Sequence, residues 1–351
     1  MPSQTVTRGE TLWYAAMKTV TGTVVLLTFV CLLTIGPASA EGRVVAVADQ
    51  NAQTLRDPLW QALGIKRTRV NVAWNLATGD PDTRTVALLD AARTAHVKVL
   101  VTWNPAGDSL PTQEQFTRAF LAFRQRWPEI REFATWNEPN LRGTMTNERP
   151  SLVARYWKVM RARCLGCTVI APELVDFPSA PRWARRFEKA VGQPGITWGL
   201  HNYRDVNRFI RPERSVTAAM LRAVKGPIWL TETGGIARFG DVLPFDEARA
   251  ARATDRVFSV ANLDRKRIKR IYLYHWRAPV RQAPWDSGML TYAGQPRRSF
   301  WILANRLGKT QAAKWALAVR ETAPTPVKPS EVTPEKPDSP SLLCLFLPVC
   351  S

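Results

Sequence analysis

Between Val44 and about Leu307 the chain alternates short apolar runs with longer amphipathic stretches. Eight of the runs read as strands: Val44–Asp49, Arg67–Trp74, Val97–Asn104, Glu132–Asn137, Thr168–Pro172, Thr197–Asn202, Ile228–Glu232 and Arg270–Trp276. Helical stretches follow each of them. Pro81-Asp82-Thr83 predicts a helix running toward Ala95, and Pro111-Thr112 one running toward Arg126. Asp246-Glu247 predicts a third, with acidic side chains at the positive end of the helix dipole. Strands that alternate with helices form a parallel sheet covered by helices. Eight such units in about 265 residues fit an α/β fold closed into a (β/α)8 barrel of the TIM type, which commonly takes about 250 residues. An open doubly wound sheet is the alternative, but no Gly-rich phosphate fingerprint follows the first strand.

The ends of the chain change character. Lys18 precedes an apolar run from Val20 to Leu33, then Gly36-Pro37 and Ala38-Ser39-Ala40. That order predicts a signal peptide over residues 1–40, or an N-terminal membrane anchor if the segment is retained. Residues 41–310 form the predicted barrel domain. Residues 311–351 are expected to be a Pro-rich linker, over Ala323 to Pro340, and a short apolar tail holding Cys344 and Cys350. Cleavage after Ala40 removes Cys31 and leaves Cys164, Cys167, Cys344 and Cys350, an even set that suits export into an oxidising compartment. Cys164-x-x-Cys167 lacks a second ligand pair for a metal, so a local disulfide or two thiols are expected.

Charge narrows the partners. Lys+Arg 49 against Asp+Glu 29 leaves a net charge of +20, a field that attracts anionic surfaces. The basic residues are scattered, as on solvated helix faces, and no basic-plus-aromatic module for nucleic acid is present. An anionic cell-wall surface, an acidic polysaccharide or lipid headgroups remain compatible. Nucleic acid is not expected as a partner, and a membrane only through an uncleaved N-terminal segment.

Active sites of (β/α)8 barrels lie at the C-terminal strand ends. Here those ends are polar and aromatic: Arg69 within and Trp74-Asn75 ending the second predicted strand, Trp103-Asn104 the third, and Trp136-Asn137-Glu138-Pro139-Asn140 the fourth. His201-Asn202-Tyr203 ends the sixth, Thr231-Glu232-Thr233-Gly234-Gly235 the seventh and His275-Trp276-Arg277 the eighth. The tops of strands four and seven face each other across a barrel, which brings Glu138 opposite Glu232. Retaining glycoside hydrolysis needs two carboxyl groups about 5–5.5 Å apart, one to protonate the departing oxygen and one to attack the anomeric carbon. Alternation along the strand predicts that Glu232 shares its inward face with Leu230 and Ile228, over a dry base that would tune its pKa. Asn137 is suited to a sugar 2-hydroxyl, and Arg69 to holding the nucleophile ionised. Tyr203 is suited to the same carboxylate, and His201 to the acid or the sugar. Asn104 is a further candidate contact to the substrate. Trp276, with Trp103 and Trp74 behind it, is the expected stacking platform. Glu173, Asp176 and Asp205 read as solvated loop acids, and His275 as structural.

Trp-Asn-Glu-Pro at strand four, His-x-Tyr at strand six, Thr-Glu-Thr-Gly at strand seven and Trp at strand eight resemble glycoside hydrolase clan A. "WNEPN" is most similar to the β-xylosidase and exopolysaccharide-hydrolase branch, then to the cellulase-like branch. Trp103-Asn104 departs from the pattern, standing where some members carry a histidine. The resemblance spans Val44 to Leu307. It implies a secreted retaining enzyme acting on a β-linked polysaccharide or oligosaccharide, with Glu138 as acid/base and Glu232 as nucleophile, and no metal or other cofactor. The alternative is a non-catalytic glycan-binding or cell-wall-associated protein on the same barrel.

Overall fold

The computed structural model describes residues 42–322; the predicted signal or anchor segment, the Pro-rich linker and the tail with Cys344 and Cys350 lie outside the described residues. The strands are β1 (Val44–Ala48), β2 (Arg67–Ala73), β3 (Lys98–Asn104), β4 (Glu132–Ala134), β5 (Thr168–Ile170), β6 (Glu173–Val175), β7 (Trp198–His201), β8 (Ile228–Thr233), β9 (Arg238–Phe239), β10 (Ile268–Tyr274) and β11 (Trp285–Asp286). Two parallel ladders run β2-β3-β4-β5 and β6-β7-β8-β10-β1. β5 and β6 are two halves of one stave, broken at Pro172, which has no N–H for a ladder. Ala171 N donates to Thr197 O at 2.7 Å and Glu173 N to Trp136 O at 3.0 Å, so the stave holds both neighbours across the break. β1 lies beside β2, and Asn71 N donates to Gln50 Oε1 there at 3.2 Å. The result is the predicted (β/α)8 barrel, with β9 and β11 as a short antiparallel pair outside it.

The helices are α1 (Pro58–Leu63), α2 (Thr83–Thr94), α3 (Gln113–Arg126), α4 (Pro150–Arg163), α5 (Ala180–Val191), α6 (Tyr203–Asn207), α7 (Val216–Ala223), α8 (Glu247–Ala261), α9 (Arg298–Arg306) and α10 (Thr310–Thr322). The three predicted helix starts are capped by side chains that accept from otherwise unpaired first-turn amides. Asp82 accepts from Arg84 N, Asp246 from Arg249 N, and Thr112 forms a reciprocal capping box with Gln115. The folded unit runs past residue 310: α10 contacts α1 and buries Ala313 and Ala316 in the main core. Cys164 and Cys167 are joined in a disulfide in the turn between α4 and β5. No helix among the described residues is long and apolar enough to cross a membrane.

Strand alternation divides the apolar residues into two shells. Ala46, Ala48, Leu100, Ala134, Ile170, Trp229 and Tyr272 fill the barrel interior. Val70, Val101, Phe133, Leu200, Ile228 and Leu230 face outward to the helices. Three of these seven are alanines, which leaves room for Trp229 and Tyr272. Below it Glu132 bridges Arg67 at 2.7 Å and Arg270, whose guanidinium lies 3.6 Å from the Trp229 ring centroid.

This division overturns three expectations. Ile228 and Leu230 belong to the outer shell, so neither shares an inward face with Glu232. Trp103 follows inward-facing Thr102 and therefore points at α3. Its ring meets Phe116, Phe120, Phe123 and Phe133, and its Nε1 donates to Met160 Sδ at 3.2 Å. Trp276 lies beyond the end of β10, where the chain leaves the strand's alternation. It is fully buried edge-on against Trp60 and Phe300, with Nε1 donating to Asp57 Oδ2 at 3.1 Å. Replacing Trp103 by Ala removes the centre of the α3 aromatic cluster and is expected to cost about 3–5 kcal/mol in urea-induced unfolding.

Candidate active site

The polar end of the barrel is organised by Arg69, which β2 carries inward and which is wholly buried. Its Nε donates to Glu173 Oε1 at 2.9 Å, its Nη1 to Glu232 Oε2 at 2.8 Å and its Nη2 to Asn137 Oδ1 at 2.7 Å. Glu173, also wholly buried, takes a further hydrogen bond from Thr102 Oγ1 at 2.8 Å. Gly199 on β7 makes space for it: a Cβ there would lie 2.4 Å from Glu173 Cγ and 3.0 Å from Thr231 Oγ1.

Glu232 reaches the interior through an irregularity in β8. Leu200 pairs with Leu230 but His201 pairs with Glu232, and Ile271 pairs with Leu230 but Leu273 with Thr233. One extra residue is thus accommodated around Thr231, a β-bulge, which re-aims the following side chain. Without it Glu232 would share the outer face with Leu230. In place, Glu232 Oε1 accepts from Tyr203 Oη at 3.1 Å while Oε2 meets Arg69.

Glu138 follows the end of β4 with φ of 43°, in the left-handed region that a side chain enters at a cost of about 1–2 kcal/mol. Two backbone bonds hold it there, Glu138 N to Glu173 O at 2.9 Å and Leu141 N to Glu138 O at 3.0 Å. His201 Nδ1 lies 2.7 Å from Glu138 Oε1 and 3.9 Å from Glu232 Oε2. Those two legs cap the separation of the two carboxylate oxygens at about 6.6 Å, against about 5–5.5 Å typical of retaining and about 6.5–9.5 Å of inverting carboxyl pairs.

A sequence profile of the family described as glycosyl hydrolase catalytic core matches residues 71–302. The chain belongs to this family. Among solved structures, the fold is similar to xylanase 10B from Thermotoga maritima, at 12% identity and TM-score 0.55 over 78% of this chain and 97% of that one. It is also similar to xylanase B from Clostridium stercorarium F9, at 11% identity and TM-score 0.53 over 75% and 96% of the two chains. No curated protein matches the chain by sequence. The protein is a glycosyl hydrolase, in agreement with the clan A resemblance of its motifs.

In this glycosyl hydrolase the structure brings together Glu138, Glu232, Asn137, Arg69, His201 and Tyr203. Asn104, half-buried, ends β3 on the same face as Thr102. Arg69, His201 and Tyr203 have at most 2% of their surface exposed, so they act on the two carboxylates rather than on a sugar. Trp103 and Trp276 are not at the mouth. Trp74, after β2, is partly exposed but packs on the outer core, whereas Tyr274, partly exposed at the end of β10, packs beside Tyr203. Trp285 on β11 follows, its ring 5.2 Å from that of Tyr203.

The acids near the fifth stave are not solvated. Glu173 is the central anion of the site; its signal in the sequence was the apolar Leu174-Val175 that follows it. Asp176 is wholly buried and accepts from Arg204 N and Asp205 N at 3.2 and 2.6 Å. Asp205 in turn accepts from Val216 N and Thr217 N at the start of α7. His275, with Nδ1 3.3 Å from Ser287 Oγ, is pushed down to about 4 by burial. No group of three or more His, Cys, Asp or Glu among the described residues is placed to hold a metal ion, and a guanidinium fills the space between Glu173 and Glu232.

Burial alone would raise Glu173, but Arg69 and His201 overcome it and hold the carboxyl down to about 2. Burial would lower His201, but Glu232, Glu138 and Glu173 lift it to about 9. Burial raises Glu232, with His201 and Arg69 opposing and Glu138 and Glu173 adding to the rise. A carboxyl with a depressed folded pKa stabilises above its unfolded pKa and loses that contribution as pH falls through the folded one. Glu173→Gln is therefore expected to lower stability by about 3–5 kcal/mol at neutral pH, by leaving Arg69 underpaired. Urea unfolding should show this gap narrowing as pH falls from about 4.5 toward 2, because the native enzyme loses the same charge pair there.

Proposed function

We propose that this glycosyl hydrolase is an exported, retaining enzyme that cleaves a β-linked glycan by double displacement. Glu138 is the acid/base and Glu232 the nucleophile. The observation that carries this reading is the shared imidazole: His201 Nδ1 lies 2.7 Å from Glu138 Oε1 and 3.9 Å from Glu232 Oε2, so both carboxyl groups face one small space.

Position and hydrogen-bond partners assign the roles. Three carboxylates, Glu138, Glu173 and Glu232, face two cations, Arg69 and the His201 imidazolium. One proton on the carboxylates makes the buried cluster neutral, and burial penalises any other count. Glu173 is held too low to take it. Glu232 is fixed in place by hydrogen bonds from both Arg69 and Tyr203, as a positioned nucleophile requires. Glu138, which follows the end of β4 and is oriented by His201, is the carboxyl placed to deliver a proton to the departing group. Glu138 passes it to the glycosidic oxygen while Glu232 attacks the anomeric carbon. Glu138 then takes a proton from water, which displaces Glu232 from the sugar.

Asn137 uses its carbonyl oxygen on Arg69, which leaves its amide N–H groups for the 2-hydroxyl. Asn104 is suited to a neighbouring hydroxyl, and Tyr274 takes the stacking role first given to Trp276. Export is supported by the signal-like segment ending at Ala38-Ser39-Ala40 and by the Cys164–Cys167 disulfide.

Incubation with 2-deoxy-2-fluoro β-glycosides followed by peptide mapping is expected to find the sugar on Glu232. A label elsewhere, or none across the panel, sinks the nucleophile assignment. Glu138→Gln is expected to slow poor leaving groups by about 10²–10⁴-fold and activated aryl leaving groups far less. Because burial raises Glu232, the acidic limb of kcat/KM against pH should lie above the ordinary carboxylate value of about 4.3.

A further inference from the structure

The loop that carries Glu138 continues into the wall of a cavity of about 570 Å³, within the usual size of small-ligand pockets, about 300–1,000 Å³. Asn140, two residues after Glu138, is part of this wall. Its side chain is tied to Val175 by two bonds, Nδ2 to Val175 O and Val175 N to Oδ1, both 2.9 Å. The wall is therefore fixed to β6, the strand that carries Glu173. Three guanidiniums line the cavity, those of Arg142, Arg182 and Arg186, against a single carboxylate, Glu148. Glu148 is taken by Arg186 at 2.9 Å. The guanidiniums of Arg142 and Arg182 make no hydrogen bond or ion pair among the described residues. Trp183 supplies a fixed apolar wall, 5% exposed, with Nε1 donating to Asn147 O at 2.7 Å. The positive end of α5, which begins at Ala180, adds to the field on the same side.

We propose that this cavity is a subsite for an anionic sugar unit, and that the glycan cleaved next to it is therefore carboxylated or sulfated. The inference rests on the glycosidase reading and names the substrate class of that same site. Solvated arginines on a helix face repel one another and spread out. Arg142, Arg182 and Arg186 are exposed, yet all three line one concavity with a single carboxylate, in a wall that continues the acid loop. A planar guanidinium matches a carboxylate or sulfate with two parallel hydrogen bonds, which gives orientation as well as attraction. The net charge of +20 then steers polyanionic chains toward the mouth.

The test uses calorimetry on the full chain carrying Glu232→Gln, with matched β-linked oligosaccharides in neutral, uronate-bearing and sulfated forms. One anionic form is expected to bind at least tenfold more tightly than the neutral one, and the form that does so identifies the group. Arg142→Gln and Arg182→Gln should each remove most of that difference. Arg163→Gln, exposed in the last turn of α4, controls for the general field and should leave it intact. No preference for either anionic form, or equal losses in Arg182→Gln and Arg163→Gln, overturns the subsite. Labelling of Glu232 by fluoro-glycosides is independent of this result. Intact labelling without anionic preference removes only the subsite, whereas failed labelling removes the mechanism beneath it.

Discussion

A guanidinium with no access to water must be neutralised where it stands, because an unpaired buried charge costs several kcal/mol. Arg69 is in that position, and the polar half of the barrel is arranged around it. Glu173 supplies the compensating charge, and its own carboxyl is held down to about 2 by the same pairing. The remaining donors of the fork are then spent on Glu232 and Asn137. Residues from β2, β6, β8 and the loop after β4 are thereby locked to one planar group. Two further features serve this packing. Gly199 yields volume to Glu173, and the β8 bulge turns Glu232 toward Arg69 and Tyr203.

The barrel interior changes character along its axis. At the N-terminal end Glu132 neutralises Arg67 and Arg270. An apolar collar of Trp229, Tyr272, Leu100, Ile170 and three alanines separates that cluster from the one around Arg69. The collar excludes water from the base of the site, so charges above it interact in a low dielectric. That is why His201 is lifted to about 9 and Glu232 is raised, rather than both titrating as free side chains. The strained backbone at Glu138 belongs to the same arrangement. Its left-handed φ is retained because β6 and Leu141 hold the peptides on either side. The cost falls at the residue whose direction matters to the chemistry.

The charge of the whole protein acquires a location as well. Scattered arginines in the sequence carry no direction. Arg142, Arg182 and Arg186 come from separate segments, the loop after β4 and the face of α5, and meet only because those segments pack together. A field that would otherwise be diffuse is thereby concentrated beside the acid loop.

The order of apolar and polar positions by itself determined the eight staves, the capped starts of α2, α3 and α8, and which strand ends carry polar residues. These depend on local periodicity and local hydrogen bonding, which neighbours along the chain settle. It also determined that Arg69 and Tyr203 stand at heights where they can meet Glu232, because strand number and strand end fix a residue's position on a barrel rim. Which way each side chain points was decided only by the tertiary structure. The β8 bulge depends on register against β7 and β10, and without that register Glu232 reads as a neighbour of Leu230. Trp103 turns to α3 because Thr102 is committed to Glu173, a contact between strands far apart in the chain. Trp276 leaves the mouth because β10 ends at Tyr274 and Asp57 receives its indole. Glu173 looks like a loop acid until the stave broken at Pro172 is seen to continue, since burial is a property of what surrounds a residue and not of its neighbours in sequence.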